Sequence, residues 1–490
     1  MNRWFRVAFL CLMLVLPGMA LPVDARQTPV TPETGTRLML SHSTRFTAEI
    51  PANWEIDRSQ AADYISPDGK GFLLATTWGT DSTSLARLCQ AMAVNFGAGD
   101  TPERGITWVT FRSQIACRIE SPDATGAPDD PVGLVFLHPN PLRSGLDGGA
   151  YFKYAGVIID RADFDRIVTS MDFSLDQVTP QLYLDAALDL IEVHAFVRDE
   201  VDWPAVRAAA DATLESGGDP LAGIDIALQA LEDAGDNHSY RWDASQLDTY
   251  VSTGGADLPP TQLPAGVQLS GQLGYINLPP MQGNENAGQR YATTGNQVLA
   301  AVDTPETCGW IIDLRGNFGG NTNPMIAAVG EILGEGTFGG FGYSNGTTSL
   351  QAYANGSVYP AGGSPGVSLI DGDIYRVSHP DAAVAILIGP VTGSAGELTG
   401  IAFHGRDNTR YFGEPTSDLT TGISGFILMD GAALGLATSA MIDRNGTPFP
   451  DGIQPDELVP FTERSIGDPA DPVIAAAMDW LVDQPPCQAG

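Results

Sequence analysis

Ile388-Gly389-Pro390-Val391-Thr392-Gly393-Ser394-Ala395-Gly396-Glu397 runs from an apolar strand through a small-residue turn into a helix. Val384 to Ile388 has the length and apolar content of a buried strand. Leu398, Ile401 and Ala402 then recur at helical spacing. A serine at that junction is held beside a helix N-terminus, where free N–H groups and the dipole favour developing negative charge. The bland alternative is that Ser394 is only an N-cap, with Glu397 three residues on completing a capping box. Local spacing leaves both open. The stretch is not a G-x-S-x-G nucleophile elbow, because Thr392 stands two before the serine, so an α/β-hydrolase is disfavoured.

A second strand end lies upstream at Ile312-Asp313-Leu314-Arg315-Gly316-Asn317-Phe318-Gly319-Gly320-Asn321. Its glycines let backbone N–H groups turn inward, as half of an oxyanion hole requires. A tight strand-to-helix turn with no ligand would read the same way. Neither G-x-G-x-x-G nor G-x-x-x-x-G-K-[ST] is present, which removes the dinucleotide and P-loop readings.

A serine nucleophile needs a base, and histidine or lysine are the usual choices. The two lysines, Lys70 and Lys153, both fall in the first third of the chain, so a Ser-Lys dyad at Ser394 is disfavoured. Six histidines remain. His42 and His138 lie far upstream, His194 sits within a helical pattern, His379 precedes proline, and His404 ends the helix after Ser394. His238 closes a helical layer in the loop Asp236-Asn237-His238-Ser239, a position that faces a neighbouring core. A lone histidine is nevertheless more often structural.

Working outward, Gly274 to Leu278 and Trp310 to Asp313 read as further strands, and Phe426 to Met429, Asp430-Gly431 and Ala433 to Ala440 as a hairpin. Asp471-Pro472 starts a last helix. Strands alternating with helices predict an α/β core over 265–465, with a C-terminal helix and tail over 466–490. Leu184, Leu188, Ile191 and Ala195 share a helical face, and helical patterns continue to Leu231, predicting a helical segment over 180–250. Asp202 before Trp203-Pro204 is a helix start. Residues 37–175 are mixed and strand-rich, as at Phe46 to Ile50 and Gly71 to Thr77, and form a separate α+β module.

The first 25 residues have the form of an export signal: Arg3 and Arg6, then apolar Val7 to Leu16, then small residues to Ala25. A flexible lead-in over 26–36 follows. No stretch has the roughly 18 uncharged apolar residues of a membrane helix. These features predict a periplasmic or extracellular protein. Cys89, Cys117, Cys308 and Cys487 then remain, and an even count in an oxidising compartment suggests disulfides. Cys89 and Cys117 lie close together in one module and are paired, which leaves Cys308 with Cys487. No cysteine or histidine has metal-ligand spacing, and no cofactor is expected. With 25 Lys+Arg against 59 Asp+Glu the net charge is −34, which disfavours nucleic acid and anionic membranes as partners.

In order along the chain, Val201-Asp202-Trp203, Asp236-Asn237-His238-Ser239, Gly274-Tyr275-Ile276 and Asp313 to Gly320 precede Ser394-Ala395-Gly396-Glu397, Gly413-Glu414-Pro415-Thr416 and Gly452-Ile453-Gln454-Pro455-Asp456. Together these pieces, over about 180–465, resemble the serine peptidase family of the tricorn core protease, the C-terminal processing peptidases and the repeats of interphotoreceptor retinoid-binding protein. The resemblance implies a crotonase-like core, a spiral of ββα units, with a small helical cap. It also implies Ser394 as nucleophile, His238 as general base, Ser239 assisting, and an oxyanion hole from the N–H groups of Gly319, Gly320 and Ala395. The chain departs from the family in three places. The lysine of the processing branch is absent, the space between His238 and Gly274 cannot hold a PDZ module, and Phe449 stands where the tricorn-like acid is expected. Asp451, Asp443 and Glu397 are the candidate acids, Asp451 being nearest in sequence.

The expected function is hydrolysis of a peptide or protein substrate through an acyl-enzyme, as an endopeptidase or a carboxyl-terminal peptidase. A non-catalytic ligand-binding protein on the same core and a serine esterase are the alternatives. Oligomeric state is not legible.

Overall fold

The computed structural model describes residues 35–488, apart from 60–61, 80–84, 99–100, 138–151, 253–261, 271, 367 and 462. The expected signal over 1–25, and all but the end of the lead-in over 26–36, lie outside the described residues.

From Thr36 onward the chain first builds two antiparallel sheets. A hairpin pairs Thr36–Ser41 with Phe46–Pro51. A seven-stranded sheet follows, in the order Glu55–Ile56, Tyr64–Ile65, Phe72–Gly79, Phe152–Asp160, Pro131–Leu137, Gln114–Glu120, Ile106–Phe111. These strands pair only with one another, which suits a module with its own core around Phe46, Leu73, Phe136 and Ile159. Helix Leu85–Ala93 packs on this sheet, and Cys89 on it is bonded to Cys117 on strand Gln114–Glu120.

Three helices come next, at Pro180–His194, Trp203–Glu215 and Pro220–Asp233. Each starts the same way: Thr179, Asp202 or Asp219 accepts a hydrogen bond from a first-turn N–H, and a proline sits in that turn. Leu184, Leu188 and Ile191 are buried, as their spacing predicts, against Ile224, Leu231, Leu434 and Leu436.

The core sheet runs β1 (Ala265–Leu269), β2 (Leu273–Asn277), β3 (Gly309–Asp313), β4 (Ala383–Ile388) and β5 (Thr409–Gly413), ending in the short strand Glu457–Leu458. β1 is antiparallel to β2, and all later neighbours are parallel. Both faces are covered, so the strands read as continuous apolar runs rather than alternating ones. Ile276, Ile312, Ile386 and Ile388 enter one cluster with Leu299 and Met325 of the helices Glu285–Val302 and Thr322–Leu333. Tyr275, Ile311, Ala385 and Leu387 enter the other, with Ile474, Ala477 and Leu481 of helix Pro472–Val482.

Arg315, fully buried at the end of β3, joins this helix to the sheet. It donates to both oxygens of Asp313 and of Asp471, and Asp471 also caps the helix. Burial alone would lower the guanidinium pKa, but the two carboxylates hold it above its ordinary value. The disulfide Cys308–Cys487 ties the chain end to the residue before β3. Peptide mapping without reduction should therefore recover two linked pairs, Cys89–Cys117 and Cys308–Cys487. A Cys89–Cys308 link, or Cys487 as a free thiol, would contradict this arrangement.

A second sheet lies beside the core. It carries the antiparallel strands Gly336–Tyr343, Thr348–Ala354 and Ser357–Pro360, which the sequence reading does not anticipate. The expected hairpin is present as β6 (Thr421–Ile427) and β7 (Ala433–Asp443). β6 pairs along one edge of β7, so Tyr240–Trp242, paired with Ala433 to Gly435, must occupy the other edge. The loop carrying His238 and the start of β6 are thus both fixed by β7.

Candidate functional site

Ser394 sits at the end of β4 as the N-cap of the short helix Ala395–Ile401. Its N–H donates to Glu397 Oε2 at 2.8 Å, closing a capping box, so the structural reading of the motif is correct as far as it goes. More is present than a cap. The serine has φ 50° and ψ −119°, a backbone conformation that side-chain-bearing residues rarely adopt. A strained strand-to-helix turn is therefore built here.

The Gly-rich loop after β3 holds that turn. Gly393 N–H donates to the Asn317 carbonyl at 3.0 Å, and Asn317 Nδ2 anchors the loop on the Leu278 carbonyl at 3.1 Å. Gly396 has no room for a side chain, since a Cβ there would lie 2.3 Å from the same Asn317 carbonyl. Gly319, at φ 119°, faces Ser394 directly; a Cβ there would lie 2.9 Å from the serine Cβ and 3.2 Å from Ala395 N. The structure thus brings Ser394, Ala395 and Gly319 together. Gly319 N–H itself donates to Asn317 Oδ1 at 3.0 Å.

Glu397 links the Ser394 turn to the second sheet. Its carboxylate accepts from Ser394 N–H, from Thr416 Oγ1 at 2.5 Å, and from the N–H groups of Asp418 and Leu419 at 3.1 and 2.9 Å. Burial pushes its pKa up to about 6, against the pull of these donors. β6 starts two residues after Leu419, at Thr421. There the Thr421 hydroxyl lies 2.8 Å from His238 Nδ1.

His238 is half-buried in a loop that Asp236 organises. One Asp236 oxygen accepts the His238 and Ser239 N–H groups, both at 2.9 Å, and the other accepts the Ser239 hydroxyl at 2.5 Å. Ser239 Oγ in turn accepts from Ala437 N–H of β7 at 2.8 Å. Ser239, expected to assist, therefore pins the loop to the sheet. Burial lowers the His238 pKa below its ordinary 6.5, while the Asp236 charge and a backbone hydrogen bond of Thr421 work against the shift.

The three candidate acids go elsewhere. Asp451 is exposed and borders, with His404, Tyr411 and Phe449, a cleft of about 370 Å³. Its charge, after burial, helps to raise the Asp418 pKa. Asp443 is buried against His404 Nδ1 at 2.8 Å. Glu397 serves the cap. Among the described residues, none of the three is hydrogen-bonded to the His238 ring. Sequence reasoning missed Asp236 and Thr421. Asp236 stood two before the histidine, the spacing of an Asx-turn, and was a recoverable signal; Thr421 carried none.

No group of three or more metal-ligating side chains that could hold an ion occurs among the described residues, and none of their helices is long and apolar enough to cross a membrane.

A match to a known peptidase family supports a serine-type peptidase. Residues 272–459 match the model of Peptidase family S41. A curated relative, the nisin-resistance protein of Lactococcus lactis subsp. lactis, is 24% identical over 271 residues, covering 55% of this chain and 80% of that protein. Among solved structures, a lipoprotein from Streptococcus agalactiae matches with TM-score 0.48 and 22% identity, over 62% of this chain and 96% of its own. The photosystem II D1 C-terminal processing protease matches with TM-score 0.40 and 13% identity, over 58% and 94%.

Proposed function

We propose that the chain is an exported peptidase that hydrolyses peptide bonds through an acyl-enzyme, with Ser394 as nucleophile and His238 as base. The observation that carries this reading is the strained backbone of Ser394 at a helix N-terminus, against Gly319. Strain of this kind is kept where function needs it. Ser394 Oγ attacks the peptide carbonyl carbon as His238 takes its proton. The imidazolium then gives that proton to the amine as the C–N bond breaks, and water hydrolyses the ester by the same path. The N–H groups of Ala395 and of Gly319 or Gly320 hold the oxyanion, Gly319 by exchanging its Asn317 contact for the substrate oxygen. Parallel strands covered on both faces support a crotonase-like spiral core, and two disulfides support export to an oxidising compartment.

A sulfonyl fluoride tests the reading directly. Peptide mapping should find the adduct on Ser394, and an amide substrate should be turned over as well as its ester. Absence of labelling with intact folding would favour a binding protein on this core. Ester turnover without amide turnover would favour an esterase.

A further inference from the structure

We propose that Thr421 is the positioning residue of the catalytic histidine, its hydroxyl occupying the place beside Nδ1 that a carboxylate fills in a Ser-His-acid triad. The inference rests on the reading of Ser394 and His238 given above. A histidine base must present an unprotonated Nε2, so its proton must reside on Nδ1 and be met there by an acceptor. Thr421 Oγ1 lies 2.8 Å from Nδ1, and the backbone of Thr421 also bonds the ring. The acids that sequence suggests are engaged elsewhere, with Asp443 on His404, Glu397 on the nucleophile cap and Asp451 exposed.

The site is built to keep Thr421 in position. It opens β6 opposite Ala440 of β7, and Leu419, two residues earlier, is held by Glu397, which also holds Ser394 N–H. β7 holds the histidine loop through the Ala437-to-Ser239 bond. Ser394 is thus linked through Glu397 to the chain at Leu419, two residues before Thr421, which meets the His238 ring. The charge that bears on the ring is Asp236, which meets backbone N–H groups and the Ser239 hydroxyl. A neutral acceptor orients the imidazole but stabilises the imidazolium less than a carboxylate does.

The experiment compares Thr421→Val and Thr421→Ser with wild type on one peptide substrate, beside Ser394→Ala. Thr421→Val keeps the β-branched shape that suits a strand and removes the hydroxyl. It should lower kcat about tenfold, the worth of one such hydrogen bond, with KM within about twofold. Its acidic pH limb should move to lower pH, because the side-chain acceptor beside Nδ1 is gone, while the backbone bond of Thr421 that favours the charged ring is kept. Thr421→Ser should restore both. Wild-type kcat and pH profile in Thr421→Val would overturn the proposal, and so would an equal loss in Thr421→Ser. Turnover by Ser394→Ala would instead overturn the underlying reading.

Discussion

Ser394→Ala is expected to abolish peptide hydrolysis while leaving the thermal melt almost where it was. The two halves of this result have separate physical origins. Hydrolysis is lost because the proposed attacking hydroxyl is that of Ser394, held at the N-terminus of helix Ala395–Ile401 against Gly319. Removing a triad member in related chemistry leaves only the contribution of oxyanion binding and substrate positioning. The fold survives because the backbone bond to Glu397 does not involve the side chain. Alanine also carries the same left-handed strain as serine at φ 50°. Loss of the hydroxyl as a cap should cost about 1 kcal/mol. Turnover and melting measured on the same preparation check both halves. Wild-type turnover in the variant would remove Ser394 from the mechanism, whereas a collapsed melt would mean that the serine is chiefly a structural cap.

The elements legible in the sequence are those whose signal is local. β2, β3 and β4 announce themselves as short apolar runs, the last two ending in glycine-containing turns, because a strand buried on both faces has no polar alternation to obscure it. Asp202 and Asp471 were readable as helix starts because capping needs only the residues of one turn. Strands Gly336–Tyr343 and Thr348–Ala354 were not legible. They are rich in Gly, Ser and Thr; Gly336–Tyr343 pairs with β7, about a hundred residues downstream, and Thr348–Ala354 joins the sheet through Gly336–Tyr343. The candidate site divides in the same way. Ser394 and the Gly319 loop each follow a strand end and carry a pattern. The contact of Thr421 with His238 spans 183 residues, and a threonine opening a strand looks like any β-branched strand former. Asp451 is favoured as the acid only by its nearness in sequence to Phe449, a criterion with no physical hold on which group reaches Nδ1.

His238→Ala should lower kcat by about three orders of magnitude or more, with substrate binding little changed, because the base acts on the transition state rather than on the bound ground state. No lysine follows Lys153 in the sequence, so no second amine base is available from the core. The pH dependence sharpens the test. A histidine base works when neutral, so kcat/KM rises with pH through its ionisation. Burial depresses the His238 pKa below 6.5, and the acidic limb should accordingly lie below that value. Glu397, pushed up to about 6 by burial, ionises in the same region and must be separated from it. Glu397→Gln keeps an acceptor oxygen for the Ser394 N–H and removes the titration. If His238 owns the limb, Glu397→Gln retains it, and the residual activity of His238→Ala no longer shows it. A limb that vanishes in Glu397→Gln and survives in His238→Ala would transfer the controlling ionisation to the carboxylate, and His238 would then be a structural histidine of the second sheet.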